Sequence, residues 1–251
     1  MTEIGPETVL ATFVMFCRIG ACLMLMPGFS SPRVPGRVRL FLVVAITLAL
    51  APILMDHVKA RIAGDAPVQI LGLIASESLI GAILGLMGRM FFLALQFAGA
   101  CIALLIGLSN MPDTAIEENE PVASITSLIT LTAVVLLFIT NLHWEVIRAI
   151  LQTYAAVPVA EQPAANLGVV KIVDALTDSF FLALRIAAPF IIYSLTINLM
   201  FGILGKLTPQ IPVYFISVPF VLAGGGIILY FAFDEFEQIF MNGFAEWLAR
   251  I

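Results

Sequence analysis

Apolar residues run along this chain in span-length blocks, separated by short segments that hold most of the prolines and charges. Residues 9–26 form the first block, close to the roughly 20 apolar residues that carry a helix across a bilayer. Pro27, Gly28, Pro32, Pro35 and Gly36 then force a turn in which Arg33, Arg37 and Arg39 cluster. A second helix is predicted over about residues 38–55, ended by Pro52 and the polar stretch DHVKARIAGDAP. Residues 68–108 are apolar apart from such interruptions as Glu77, Arg89 and Gln96. That is two membrane lengths hinged near residues 85–89, or one hairpin that never crosses fully, and hydropathy leaves both open. Gly81, Gly85 and Gly88 fall at intervals of four and three, which lets helix backbones approach closely, either as plain packing or as a functional seam.

Beyond residue 121 the same alternation continues. Residues 122–140 make another span-length helix with a polar end at Asn141, His143, Trp144 and Glu145. Ile147, Ile150, Leu151 and Tyr154 at helical spacing predict a short amphipathic helix over residues 147–157, ended by Pro158 and Pro163. A long helix is predicted from about residue 168 to about 205, kinked at Pro189. A turn over residues 206–212 leads to the last apolar run, residues 213–233. In the tail, residues 234–251, Phe236, Phe240, Phe244, Trp247 and Leu248 form one stripe, with Asp234, Glu235, Glu237 and Glu246 largely off it. An acidic amphipathic helix suits a partner protein better than a lipid surface, so the phenylalanine stripe is expected to pack on a neighbouring subunit.

Composition fixes the class. With 61% hydrophobic residues, 12% charged residues and a mean hydropathy of +1.07, the chain has about half the charge of an ordinary soluble domain. It reads as an all-α, polytopic membrane-type protein whose apolar surface faces membrane lipid or equally apolar subunits. The net charge of −5 argues against nucleic acid and against an electrostatic anchor on anionic lipid. Glu3 and Glu7 precede the first run without Lys or Arg, so it lacks the positive region of a secretory signal and reads as a retained helix. Cys17, Cys22 and Cys101 lie inside apolar runs and read as small core residues. The two histidines, His57 and His143, lack HExxH spacing, and there is no P-loop or GxSxG elbow, so no catalytic chemistry, metal or cofactor is expected.

Charges inside the apolar runs are the remaining place to look. Arg18 sits mid-helix, where insertion costs about 2.5–3.5 kcal/mol, and should face protein or water. Glu77 is either an intramembrane ion or proton site, or a carboxyl that is neutral or hydrogen-bonded across a helix interface. Asp174, Asp178 and Arg185 share one helix face, although the two acids also lie in the first turns of their helix, where its dipole favours carboxylates. The segment 107–121, GLSNMPDTAIEENEP, packs Asp113, Glu117, Glu118 and Glu120 between two apolar runs without a basic residue. It is a solvated connector, or the place where whatever passes this protein meets it.

Taken in order, these residues resemble the FliR family, the flagellar member of the type III secretion export gate, SctT-like in injectisomes. The resemblance starts with Arg18, Pro27, Val34, Pro35, Arg37, Val38, Ala51 and Pro52. Leu79, Ile80, Gly81, Leu84 and Gly85 follow, then Gly107, Leu108 and Ser109, and the run LLFITNLH, residues 136–143. Pro189, Leu195, Asn198, Leu199, Gly202, Pro209, Gln210, Phe215 and Pro219 resemble the most specific block of the family. The resemblance implies one helical export-gate domain over residues 1–251, assembled with FliP and FliQ subunits into a pore on which FlhB docks. Its place is then the bacterial inner membrane, in the flagellar basal body, and its work is the passage of unfolded flagellar proteins, without enzymatic activity. Long helical hairpins packed on other subunits are implied too. The segment after Gly-Leu-Ser acts as a pore plug in this family, which corresponds here to Ser109, Asn110, Met111, Pro112, Asp113, Ile116, Glu117, Glu118 and Glu120. The chain departs from the family there, with NMPDTAIEENE in place of aromatic residues and an Asp-Pro, and again at Leu142, which replaces a glycine. Two alternatives remain: an ion-coupled secondary transporter using Glu77 and the Asp174, Asp178, Arg185 face, and a structural assembly subunit without a gating role.

Overall fold

A computed structural model describes residues 5–31, 34–62, 67–108, 124–159, 165–210 and 212–251. The described residues form helices joined by turns: α1 (Pro6–Leu25), α2 (Gly36–Ile62), α3 (Pro67–Leu105), α4 (Ser124–Ile139), α5 (Leu142–Ala156), α6 (Ala165–Leu207) and α7 (Val213–Ala249). By length and composition five are apolar enough to cross a membrane, or up to six spans if the broken pair α4 and α5 counts as one. The all-α, polytopic architecture is the one the hydropathy blocks predict.

Individual boundaries differ from the prediction, and each for a physical reason. Residues 68–105 are neither two hinged spans nor a hairpin, because α3 is a single helix of 39 residues. A glycine inside a helix costs only about 1 kcal/mol, too little to break so long an apolar run. Nor does Pro52 end α2, which continues to Ile62, and α6 and α7 likewise run through Pro189 and Pro219. α3 ends where Gly107 takes a φ of 79°, a left-handed conformation that glycine adopts without strain. The break between α4 and α5 turns on Asn141, at φ 60° and ψ 17°. Asparagine tolerates that region better than other residues with a Cβ, so Asn141→Gly should be neutral in a thermal melt, whereas Asn141→Val should cost about 1–2 kcal/mol.

Contacts divide the chain into two compact units, one built from Met1–Phe91, Asn141–Leu176 and Ala245–Ile251, the other from Phe92–Thr140 and Thr177–Phe244. In the first, Ala11, Val14, Met15, Arg18, Ile19, Cys22 and Leu23 line the buried face of α1 at i, i+3, i+4 spacing. α2 packs on α1. α3 lies so close that a Cβ on Gly81 would meet the Arg18 carbonyl, one on Gly85 would lie 2.6 Å from the Cys22 oxygen, and one on Gly88 would meet the Met26 sulfur. The three glycines are therefore the seam along which α3 receives α1. Between apolar helices in a membrane there is little hydrophobic driving force, so this close fit is what holds them.

In the second unit the phenylalanine stripe of α7 is satisfied within the chain, which corrects the expectation that it packs on a neighbouring subunit. Phe240 and Phe244, both fully buried, meet the edge of Phe92 at ring separations of 5.0 and 5.7 Å, and Phe236 packs on Phe190 at 5.5 Å. The stripe belongs to no separate tail helix either, because α7 continues from Val213 through to Ala249. Gly224 admits Tyr193, whose hydroxyl donates to the Phe220 carbonyl at 2.7 Å. Glu237 is also buried, and neither carboxylate oxygen has a hydrogen-bond partner among the described residues.

Candidate functional site

Arg18 and Glu77, separated by 59 residues, meet in the interior of the first unit. Their side chains are 1% and 0% exposed, so neither charge is in contact with solvent or lipid. Local sequence places each of them. Arg18 lies on the buried stripe of α1, and Glu77 lies one turn before Gly81, where α3 and α1 are closest. The guanidinium engages the carboxylate in a fork, Nε donating to Oε2 at 2.5 Å and Nη2 to Oε1 at 2.8 Å. A bidentate, charge-assisted pair of this kind is the strongest geometry available to the two groups.

A third helix completes the site. Nη1 of Arg18 donates to the backbone carbonyls of Thr153 and Val157, at 3.1 and 3.0 Å, at the C-terminal end of α5. The Thr153 carbonyl also accepts the Val157 N–H at 2.9 Å, and the end of the helix carries the negative end of its dipole, which favours a cation there. Tyr154 lies under the guanidinium, its ring centroid 4.2 Å from Cζ, which adds a cation–π contact in a desolvated setting. One arginine thereby ties α1, α3 and α5 together. The chemistry of this arrangement is that of a staple: both charges are neutralised, and the Glu77 carboxylate is engaged at both oxygens.

The other sequence-predicted residues lie elsewhere. Asp174, Asp178 and Arg185 are exposed on α6, Asp174 in the first unit and the other two in the second. Ser109, Asn110, Met111, Pro112, Asp113, Ile116, Glu117, Glu118 and Glu120 all fall outside the described residues. Sequence reasoning missed Thr153, Tyr154 and Val157 as partners of Arg18. The available signal was Tyr154 on the apolar face of the amphipathic helix, immediately before Pro158 stops it.

Long apolar helices, a close glycine seam and a buried ion pair used as a staple define a polytopic all-α membrane protein. The model of the family described as bacterial export proteins, family 1, matches residues 9–247. The flagellar biosynthetic protein FliR of Caulobacter vibrioides is 28% identical over 238 residues, covering 94% of this chain and 93% of that protein. FliR of Escherichia coli is 34% identical over 215 residues, 83% of this chain and 78% of that one. FliR of Aquifex aeolicus is 26% identical over 249 residues, covering 98% and 95%. The chain belongs to the bacterial export protein family 1, among its FliR-type members. It is a membrane protein and a subunit of the flagellar export apparatus.

Proposed function

We propose that the chain is a non-enzymatic wall subunit of the flagellar export gate in the bacterial inner membrane, working as one helical domain over residues 1–251. In this reading it assembles with FliP and FliQ subunits, receives FlhB, and lines part of the path of unfolded flagellar proteins. The observation that carries the reading is the end-to-end family match over residues 9–247. Bare apolar surface supports it: Leu195 is 70% exposed, Phe215 75%, Tyr230 79% and Phe231 78%, leaving surface for lipid or other subunits. The transporter alternative asks Glu77 to bind and release a coupling ion, and its carboxylate is already held at both oxygens by Arg18.

The segment from Ser109 to Glu120 is the proposed plug. A pore that passes an unfolded chain leaks ions at rest unless something fills it, and α3 and α4 lead into and out of that segment. Met111, Pro112, Ala115 and Ile116 supply the bulk, while Asp113, Glu117, Glu118 and Glu120 would each cost several kcal/mol if desolvated without partners. Occlusion therefore works by volume and hydrogen bonding, with the carboxylates wet or paired to bases of other subunits. Deleting residues 112–120 should leave the complex with FliP and FliQ intact in a pull-down and raise ion conductance in the same cells. Neutralising the four acids alone should give a smaller leak. A deletion that assembles normally and conducts no more than the parent rules out the plug.

A further inference from the structure

Glu237, on α7 in the second unit, is 4% exposed, and neither of its carboxylate oxygens meets a hydrogen-bond donor among the described residues. Its own helix offers none. The residues three and four positions away are Phe233, Asp234, Phe240 and Met241, and of these Asp234 would repel an ionised carboxylate. The buried phenylalanines beside it pack on two other helices, Phe236 on Phe190 of α6 and Phe240 on Phe92 of α3. Nor does the rest of the unit supply a counter-charge. Phe92–Thr140 and Thr177–Phe244 contain two basic residues, Arg185 and Lys206 of α6, and both are exposed. Asp178 of α6 and Asp234 and Glu235 of α7 are exposed as well. Within this unit the described parts of α3 and α4 carry no charged side chain, and neither the Cys101 thiol of α3 nor the Tyr193 hydroxyl of α6 hydrogen-bonds the carboxyl.

A carboxylate in this position would have exchanged water for an interior without a donor or a base, a transfer so costly that such a group keeps its proton instead. The neutral acid escapes that cost. Access to water is close at hand, because Glu237 lies four residues past the apolar run 213–233 and within one turn of the exposed Asp234 and Glu235. We infer that Glu237 is a proton-binding site: the folded chain holds it as the neutral acid at pH values where an exposed glutamate is ionised, and that proton lets α7 close on α3 and α6. The proton is taken from bulk water when the unit folds and returns to it when the unit opens, so no other reactant is needed.

Infrared difference spectroscopy of the full-length chain in mild detergent tests this. At about pH 6, where a glutamate with the ordinary value of about 4.3 is ionised, the parent minus Glu237→Gln should show the carbonyl stretch of one neutral carboxyl, moving to lower frequency in D2O. Glu237→Met should remove the same band, which keeps the test open if the glutamine variant fails to fold. Thermal melts give a second readout. The folded chain holds a proton that the unfolded chain releases, so the stability of the parent falls as pH rises. Between about pH 6 and about pH 9, the upper limit known for buried glutamates, the parent should therefore lose melting temperature relative to Glu237→Gln. Three results would overturn the proposal. They are no neutral-carboxyl band at about pH 6, a band that survives both substitutions, and melting temperatures of parent and Glu237→Gln that move together across that range.

Discussion

Glu77→Leu should destabilise the chain by about 3–5 kcal/mol, the cost of stranding a buried charge whose partner has been removed. Arg18 would keep the carbonyls of Thr153 and Val157 and the face of Tyr154, but two of its donors would point into an apolar interface with no acceptor. Arg18→Met alone should cost a similar amount, because it leaves a carboxylate at 0% exposure. The double variant Arg18→Met/Glu77→Leu should recover most of the loss, since an apolar pair of similar volume escapes the desolvation penalty of both ions. Glu77→Gln should fall between parent and Glu77→Leu, keeping one acceptor and losing the charge. Thermal melts of all the variants in one mild detergent give the double-mutant cycle, and the interaction energy should be large because the residues are in direct contact. Export assays separate the staple from proton-linked work. If export follows stability across the set, and the double variant exports, the pair is structural. A Glu77→Gln variant that melts with the parent, assembles normally and exports nothing would show that the carboxylate has a proton-linked role instead.

Much of this architecture is legible in the sequence, because membrane solvent makes a strong demand on it. Blocks of about 20 apolar residues bounded by proline and charge can be little else than helices. The insertion cost of a mid-helix charge already directs Arg18 toward protein. The identity of its partner is not legible, since the same reasoning applies to Glu77 separately and nothing local links residues 59 positions apart. Helical periodicity has a related limit. It finds the Phe236, Phe240, Phe244 face correctly but cannot say what covers that face, and Phe92 and Phe190 of the same chain cover it. Glu237 shows the limit from the other side. The stripe of phenylalanines is narrow, but the buried arc of α7 extends to Met241, and Glu237 falls inside that wider arc. Proline is a weaker stop signal here than in a soluble chain, as Pro52 inside α2 shows. Its missing hydrogen bond weakens a helix, yet in a long apolar run the alternative of exposing more backbone to hydrocarbon is worse.

Gly81→Ala should destabilise the chain by about 3 kcal/mol, the upper end for overpacking, even though alanine is the better helix former. The added methyl would land on the main-chain carbonyl of Arg18, and backbone cannot rotate away as a side chain can. α1 and α3 must then separate, and separation at Arg18 draws its guanidinium off Glu77, which extends from α3 one turn away. Gly72→Ala is the internal control, since it lies on the same helix and a methyl there would have nothing within 4 Å, and it should stabilise by up to about 1 kcal/mol. The two alanines therefore have opposite signs on one helix, a contrast that helix propensity alone does not produce. The two sites, Gly81 and Glu77, should also be coupled. In the Gly81→Ala background the ion pair is already stretched, so Glu77→Leu should cost clearly less than it does in the parent. Melting the four variants, parent, Gly81→Ala, Glu77→Leu and the double, measures that coupling directly. If Gly81→Ala melts with or above the parent, α1 and α3 do not approach at Arg18 as closely as the seam requires, and the glycines lose their role in holding the pair.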